Sequence, residues 1–151
     1  MASNNNNEIN ITFKAFNADF NNSLKSMNDE AAQLRQEMKL QAEEMKHSAT
    51  ATEKLEAKMG SLQQLYEIAR RKTQETAEAL QRAKDIWGES SEEVRKFEEQ
   101  LRRQQIAEQQ TANAITEAEQ ALERAQRAYQ NQTQSMQQLQ RLFDATGSSL
   151  Q

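Results

Sequence analysis

His47 is the only histidine in the chain and the first place to look for acid–base or metal chemistry. A general base needs a positioned partner, and a metal needs several ligands that converge. His47 has no such company in the sequence. It falls at the end of a helical segment, where a solvated cation near the helix C-terminus accounts for it. The carboxylate pairs Glu43/Glu44 and Glu98/Glu99 are adjacent, so on a helix they point in different directions and read as solvated face. Cysteine is absent, which excludes disulfides and thiolate sites. No phosphate-binding glycine loop, zinc spacing or nucleophile elbow occurs. The expectation is a protein that is not an enzyme, with no catalytic, cofactor-binding or metal site.

Two basic clusters remain, Arg70-Arg71-Lys72 and Arg102-Arg103. Nucleic-acid binding would call for a continuous basic face. Glu67 and Glu75 flank the first cluster, and Glu98 and Glu99 the second, at distances that make them ion-pair neighbours on a helix. The net charge of −4 gives no general attraction to nucleic acid or anionic lipid. No specific nucleic-acid partner is expected.

The elements that carry these residues show in the apolar spacing. Steps of four and three from Phe20 land on Leu24, Met27, Ala31, Leu34 and Met38, then on Met45. The same phase meets Leu55, Met59, Leu62, Tyr66, Ala69, Leu80, Ala83 and Trp87. It continues through Val94, Phe97, Leu101, Ile115, Ala118, Leu122, Ala125, Tyr129, Met136, Leu139 and Phe143. Two positions per heptad draw one narrow stripe on a helix, the seam of a coiled coil. Such a stripe must be covered by another helix, so self-association into homo-oligomeric helices is expected. Around Leu62 the stripe widens through Leu65 and Ile68, which asks for more than one neighbour. Ala69, Ala83, Ala118 and Ala125 leave room for a neighbouring backbone to come close. Thr73 and Thr76, then Gln104, Glu108 and Thr111, then Gln132, interrupt the seam with polar layers.

Composition agrees with helices. Proline is absent and glycine occurs only at positions 60, 88 and 147, so the two strongest helix breakers are nearly missing. The hydrophobic share is 36%, below the roughly 45–50% of globular domains. No apolar run approaches the ~18 residues of a membrane span. The first ten residues lack the basic and hydrophobic regions of a signal peptide, so a soluble cytoplasmic protein is expected.

Six segments follow. Residues 1–7 are expected to be a disordered polar tail. Residues 8–16 are expected to form a short β-strand, because Ile9, Ile11 and Phe13 alternate with polar residues. A lone strand is unstable, so these three residues are read as a docking strand for a partner's sheet edge. Helices are expected over 17–47, 53–87 and 91–145, and a disordered tail over 146–151. Thr50 with Glu53 and Ser90 with Glu93 have capping-box spacing, and Gly88 suits a helix C-terminus. The fold class is all-α: long heptad-patterned helices, as a coiled coil or a helical hairpin or bundle, preceded by one strand. A straight form is favoured by the unbroken heptad phase and a folded-back form by the caps. Straight, residues 20–143 would span roughly 190 Å at ~1.5 Å each.

Particular residues resemble the amino terminus of phage tail tape measure proteins. They are Ile11-Thr12-Phe13-Lys14-Ala15, Phe20, Leu24-Lys25-Ser26-Met27-Asn28 and Leu34-Arg35-Gln36-Glu37-Met38-Lys39-Leu40. Glu53-Lys54-Leu55-Glu56 and Trp87-Gly88-Glu89-Ser90-Ser91-Glu92-Glu93-Val94 are similar to that family's helical repeats. The resemblance implies a structural protein of the virion, lodged in the tail interior and present in the host cytoplasm during assembly. Its helices would act as a ruler for tail length. Its partners would be tail tube, tail-tip or tail-assembly chaperone proteins. Family members are usually several times longer, so the chain is expected to be an amino-terminal fragment or a truncated copy. The competing expectation is an intracellular coiled-coil adaptor or scaffold with no enzymatic activity.

Overall fold

Two short breaks set the course of the chain. In the computed structural model three helices form, α1 (Ala2–Glu44), α2 (Ala51–Trp87) and α3 (Glu92–Ser149). The structure describes the backbone of residues 2–149 and the side chains of residue 8 and of 12–147. α2 begins at Thr50, whose hydroxyl accepts the Glu53 N–H at 3.2 Å and donates to the Glu53 carboxylate. It ends at Gly88, where a φ of 84° turns the chain and the glycine N–H caps the Lys84 carbonyl at 2.9 Å. α3 is capped by Ser91, which accepts the Val94 N–H at 3.2 Å. The cap is therefore one residue later than the expected Ser90–Glu93 pair.

Both breaks reverse the chain, so the straight rod of residues 20–143 is not formed. Phe13 of α1 meets Trp87 of α2 with ring centroids 3.8 Å apart. Ser23 donates to Glu75 at 2.6 Å, and Arg71 pairs with Glu30 at 3.3 Å. Numbers that rise along α1 fall along α2, so these two helices are antiparallel. Tyr66 shares a small cleft with Gln105, Glu108 and Gln109, so α2 also runs antiparallel to α3. α2 is the middle helix, and α1 and α3 point the same way.

The buried core sits toward the Gly88 end. Phe13, Phe20, Leu24 and Met27 of α1 pack with Ile68, Ala79, Leu80 and Ala83 of α2 and Val94 and Phe97 of α3. Ala79, Ala83 and Val94 have no exposed surface. Their small size suits the close approach of α2 and α3. Among the described residues no Cα of α1 lies within 8 Å of one in α3. Aromatic rings cross that wider gap: Phe97 lies 6.2 Å from Phe13 and 5.6 Å from Phe20, centroid to centroid.

The expected strand over 8–16 is helix, part of α1. Phe13, Phe16 and Phe20 are spaced three and four apart, which is helical spacing, and Phe13 and Phe20 enter the core from one face. Burial of that face outweighs the two-residue alternation of Ile9, Ile11 and Phe13. The side chains of Ile9 and Ile11 lie outside the described residues. α1 also takes in 2–7 and α3 takes in 146–149, where tails were expected, while Met1, Leu150 and Gln151 lie outside the described residues.

The glycines and alanines make contrasting predictions for thermal unfolding. An added Cβ at Gly60, inside α2, meets nothing within 4 Å, so Gly60→Ala should stabilise the chain by about 0.5–1 kcal/mol. Gly88→Ala should destabilise it by about 1–2 kcal/mol, because an L side chain resists the positive φ. Ala83→Leu overfills a fully buried position and should cost about 1–3 kcal/mol, read as a lowered Tm with helicity kept at 20 °C.

Candidate functional site

The residues that first suggested chemistry lie apart. His47 is exposed in the turn between α1 and α2, and Glu43, Glu44, Glu98 and Glu99 are all exposed. Among the described residues no three His, Cys, Asp or Glu side chains gather where a metal ion would sit. No helix of the described residues is long and apolar enough to cross a membrane.

The basic clusters take different partners. Arg103 pairs with Glu99 one turn away, as the spacing suggested. Arg71 instead reaches across to Glu30 of α1, and Glu75 accepts from Ser23 of α1. These acids and bases tie α1 to α2, a use that helical spacing alone does not reveal. Lys72 of α2 feels the charge of Arg35 of α1. Burial, and secondly the Arg35 guanidinium, lower its pKa from the ordinary 10.5.

The polar layers are resolved largely within each helix. Thr76 is fully buried, and its hydroxyl donates to the Lys72 carbonyl at 2.9 Å. Thr73 donates to the Ala69 carbonyl and Thr111 to the Ala107 carbonyl in the same way. Threonine thus satisfies itself within its own helix and enters the packing with its methyl group. Gln104 differs: its side-chain oxygen is buried with no hydrogen-bond partner among the described residues.

The seam residues divide by position. Phe20, Leu24, Met27, Leu62, Leu80, Val94 and Phe97 are buried. Leu34, Met38, Leu55, Met59, Tyr66, Trp87, Leu101, Ile115 and Leu122 are half-buried. Tyr129, Met136, Leu139 and Phe143 are exposed, at 64–75%. From Gln126 to Gly147 every residue except Thr133 is exposed. α2 has 37 residues and α3 has 58, so α3 outruns its neighbour by more than 20 residues. Its last part projects with an apolar stripe that nothing among the described residues covers. Sequence reasoning missed Phe16, Ala79 and Ile86 as packing residues, because a third helix widens the buried arc beyond two positions per heptad.

A second surface lies at the other break. A cleft of about 410 Å³ opens between the end of α1 and the start of α2, floored by Met38, Ala42, Met45 and Ala57. Lys39, Lys46, Lys54 and Lys58 rim it. The Lys54 ammonium donates to the Lys46 carbonyl at 3.1 Å, which pins one side of the turn.

No family model, no curated protein and no solved structure matches this chain. The site is an antiparallel helical base, from which the end of α3 projects with its seam open.

Two substitutions check this account. Lys72→Met should raise the Tm at pH 7. Folding disfavours the Lys72 charge, so the native state carries that cost at all pH below the lowered pKa. The cost fades as pH climbs from there toward 10.5, and stability should rise over that interval in the wild type but not in the variant. Gln104→Leu removes an unpaired buried acceptor and should stabilise by about 1 kcal/mol in chemical denaturation.

Proposed function

We propose that this chain is a structural protein of a long phage tail, of the tape measure class, acting through helix length and helix packing. What supports the reading is the seven-residue spacing of apolar residues in the sequence, carried by three long helices of which α3 continues beyond the end of its neighbour. The resemblance of residues 11–40 and 87–94 to tape measure proteins supports the setting. In that setting the partners are tail tube, tail-tip or chaperone proteins, and the site of action is the interior of the virion tail.

A helix turns residue number into distance at ~1.5 Å per residue, so the 58 residues of α3 measure about 87 Å. The reversals at 45–50 and at Gly88 keep the folded chain well short of the roughly 190 Å of a straight rod. They also favour a second reading, a non-enzymatic adaptor or scaffold. A compact base with one projecting helix can join partners without a surrounding tube.

Tail length separates the two. Six extra heptads inserted in phase after Gln126 should lengthen tails by about 60 Å in averaged electron micrographs if the helix is measured along the tube. The chain should also be present in purified tails by mass spectrometry. Unchanged tails that lack the chain would favour the adaptor.

A further inference from the structure

We infer that the projecting part of α3 pairs with the same segment of a second copy of this chain, and that the two run antiparallel. The stripe consists of Tyr129, Met136, Leu139, Leu142 and Phe143, each 64–75% exposed. Four of the five lie on the heptad that, about two to four turns before Tyr129, carries Ile115, Ala118 and Leu122. There the seam is half-buried or buried beside α2. The stripe is thus a direct continuation of the α2–α3 interface. It lies open because α2 starts at Ala51, where Thr50 caps it and the chain turns toward α1.

A helix that covers this stripe antiparallel to α3 continues the line that α2 would have followed. The projecting segment of a second copy has the matching seam. Large at Met136, Leu139 and Phe143, it sets partner side chains against one another when the first and fourth positions of the heptad face across the pair. With Met136 facing the partner's Leu139, Tyr129 faces the partner's Thr146 and Phe143 the partner's Gln132, so the two central layers are apolar and the outer ones set an aromatic ring beside a polar side chain. A parallel pair would bring both three-helix bases to one end, where each α2 already occupies the seam. The antiparallel pair puts the bases at opposite ends.

Charge points to the same occupant. The positions flanking the stripe are Ala128, Thr133, Ser135 and Gln140, all neutral. Arg127, Arg141 and Asp144 fall on the outer face by the heptad count. Two copies therefore meet without repulsion, and a highly charged partner helix would find nothing to pair with. Five large apolar side chains at about two-thirds exposure offer roughly 600 Å² per copy, taking aromatic side chains at about 150–250 Å² each. That is the most these five residues could bury, and it lies below the ~800 Å² per partner of a standard interface. The inference is independent of the tail reading.

The test uses the full chain, which lacks cysteine and so accepts single reporters. Sedimentation over a wide concentration range should show reversible dimers. Leu139→Asp should weaken dimerisation at least about tenfold, because it places a charge in the seam. Its helicity by circular dichroism should be unchanged, since Leu139 is exposed in the single chain. A mixture of Tyr129→Cys and Thr146→Cys chains, oxidised together, should form the mixed disulfide, while Tyr129→Cys alone should not cross-link to itself. A chain that stays monomeric up to millimolar concentration overturns the inference. So does a dimer that survives Leu139→Asp. Efficient self-cross-linking of Tyr129→Cys, the mark of a parallel pair, overturns the orientation.

Discussion

A narrow apolar stripe on a helix needs another helix to cover it, and the burial along these three helices follows from where a neighbour is supplied. Where the chain supplies the second helix, the seam is buried and the helices lie close. Where it supplies a third, the buried arc widens to include Ile68, Ala79 and Phe16. Where it supplies none, as along the end of α3, the seam stands open to water. The aromatic contacts among Phe13, Trp87 and Phe97 are the point at which all three helices meet. They form at the Gly88 end, because that turn brings the end of α2 and the start of α3 against the same stretch of α1.

Size at the interface governs how the three helices divide the work. Ala79 and Ala83 let α2 lie close along α3, and that contact is the more extensive of the two that α2 makes. The α1 side is built from Phe20, Leu24 and Met27, which hold the backbones further apart. Exposed ion pairs such as Arg71–Glu30 add orientation and little stability, since water screens them. The free energy that holds α1 in place comes from the large side chains near its beginning. At its other end a cleft opens between Met38 and Ala57.

The candidate surface follows from a difference in length. α3 is longer than the helix it pairs with, and the excess keeps the same apolar phase. A structural protein gains from this arrangement a stable base and an extended element for assembly. The proposed role in a phage tail and the proposed pairing of copies both draw on that element, one through its length and the other through its seam.

Much of the helical content was legible in the sequence, and the reason is local. Seven-residue spacing, the absence of proline and the caps at Thr50 and Gly88 act through backbone geometry and through neighbours one turn away. The breaks near 45–50 and 88–91 could be read from the same signals. Three matters could not be read. The heptad phase runs unbroken across both turns, so it was compatible with a straight rod; the packing between helices shows the reversals, Phe13 on Trp87 and Arg71 on Glu30 at the first, and Tyr66 beside Gln105 and Gln109 at the second. Residues 8–16 satisfied both a two-residue and a helical spacing, and burial of Phe13 and Phe20 on partners far along the chain decided for helix. The open stripe at Tyr129–Phe143 looks the same in sequence as the buried stripe at Leu80–Phe97. Which part of a seam is covered depends on where the partner helix ends, and that is a property of the tertiary structure alone.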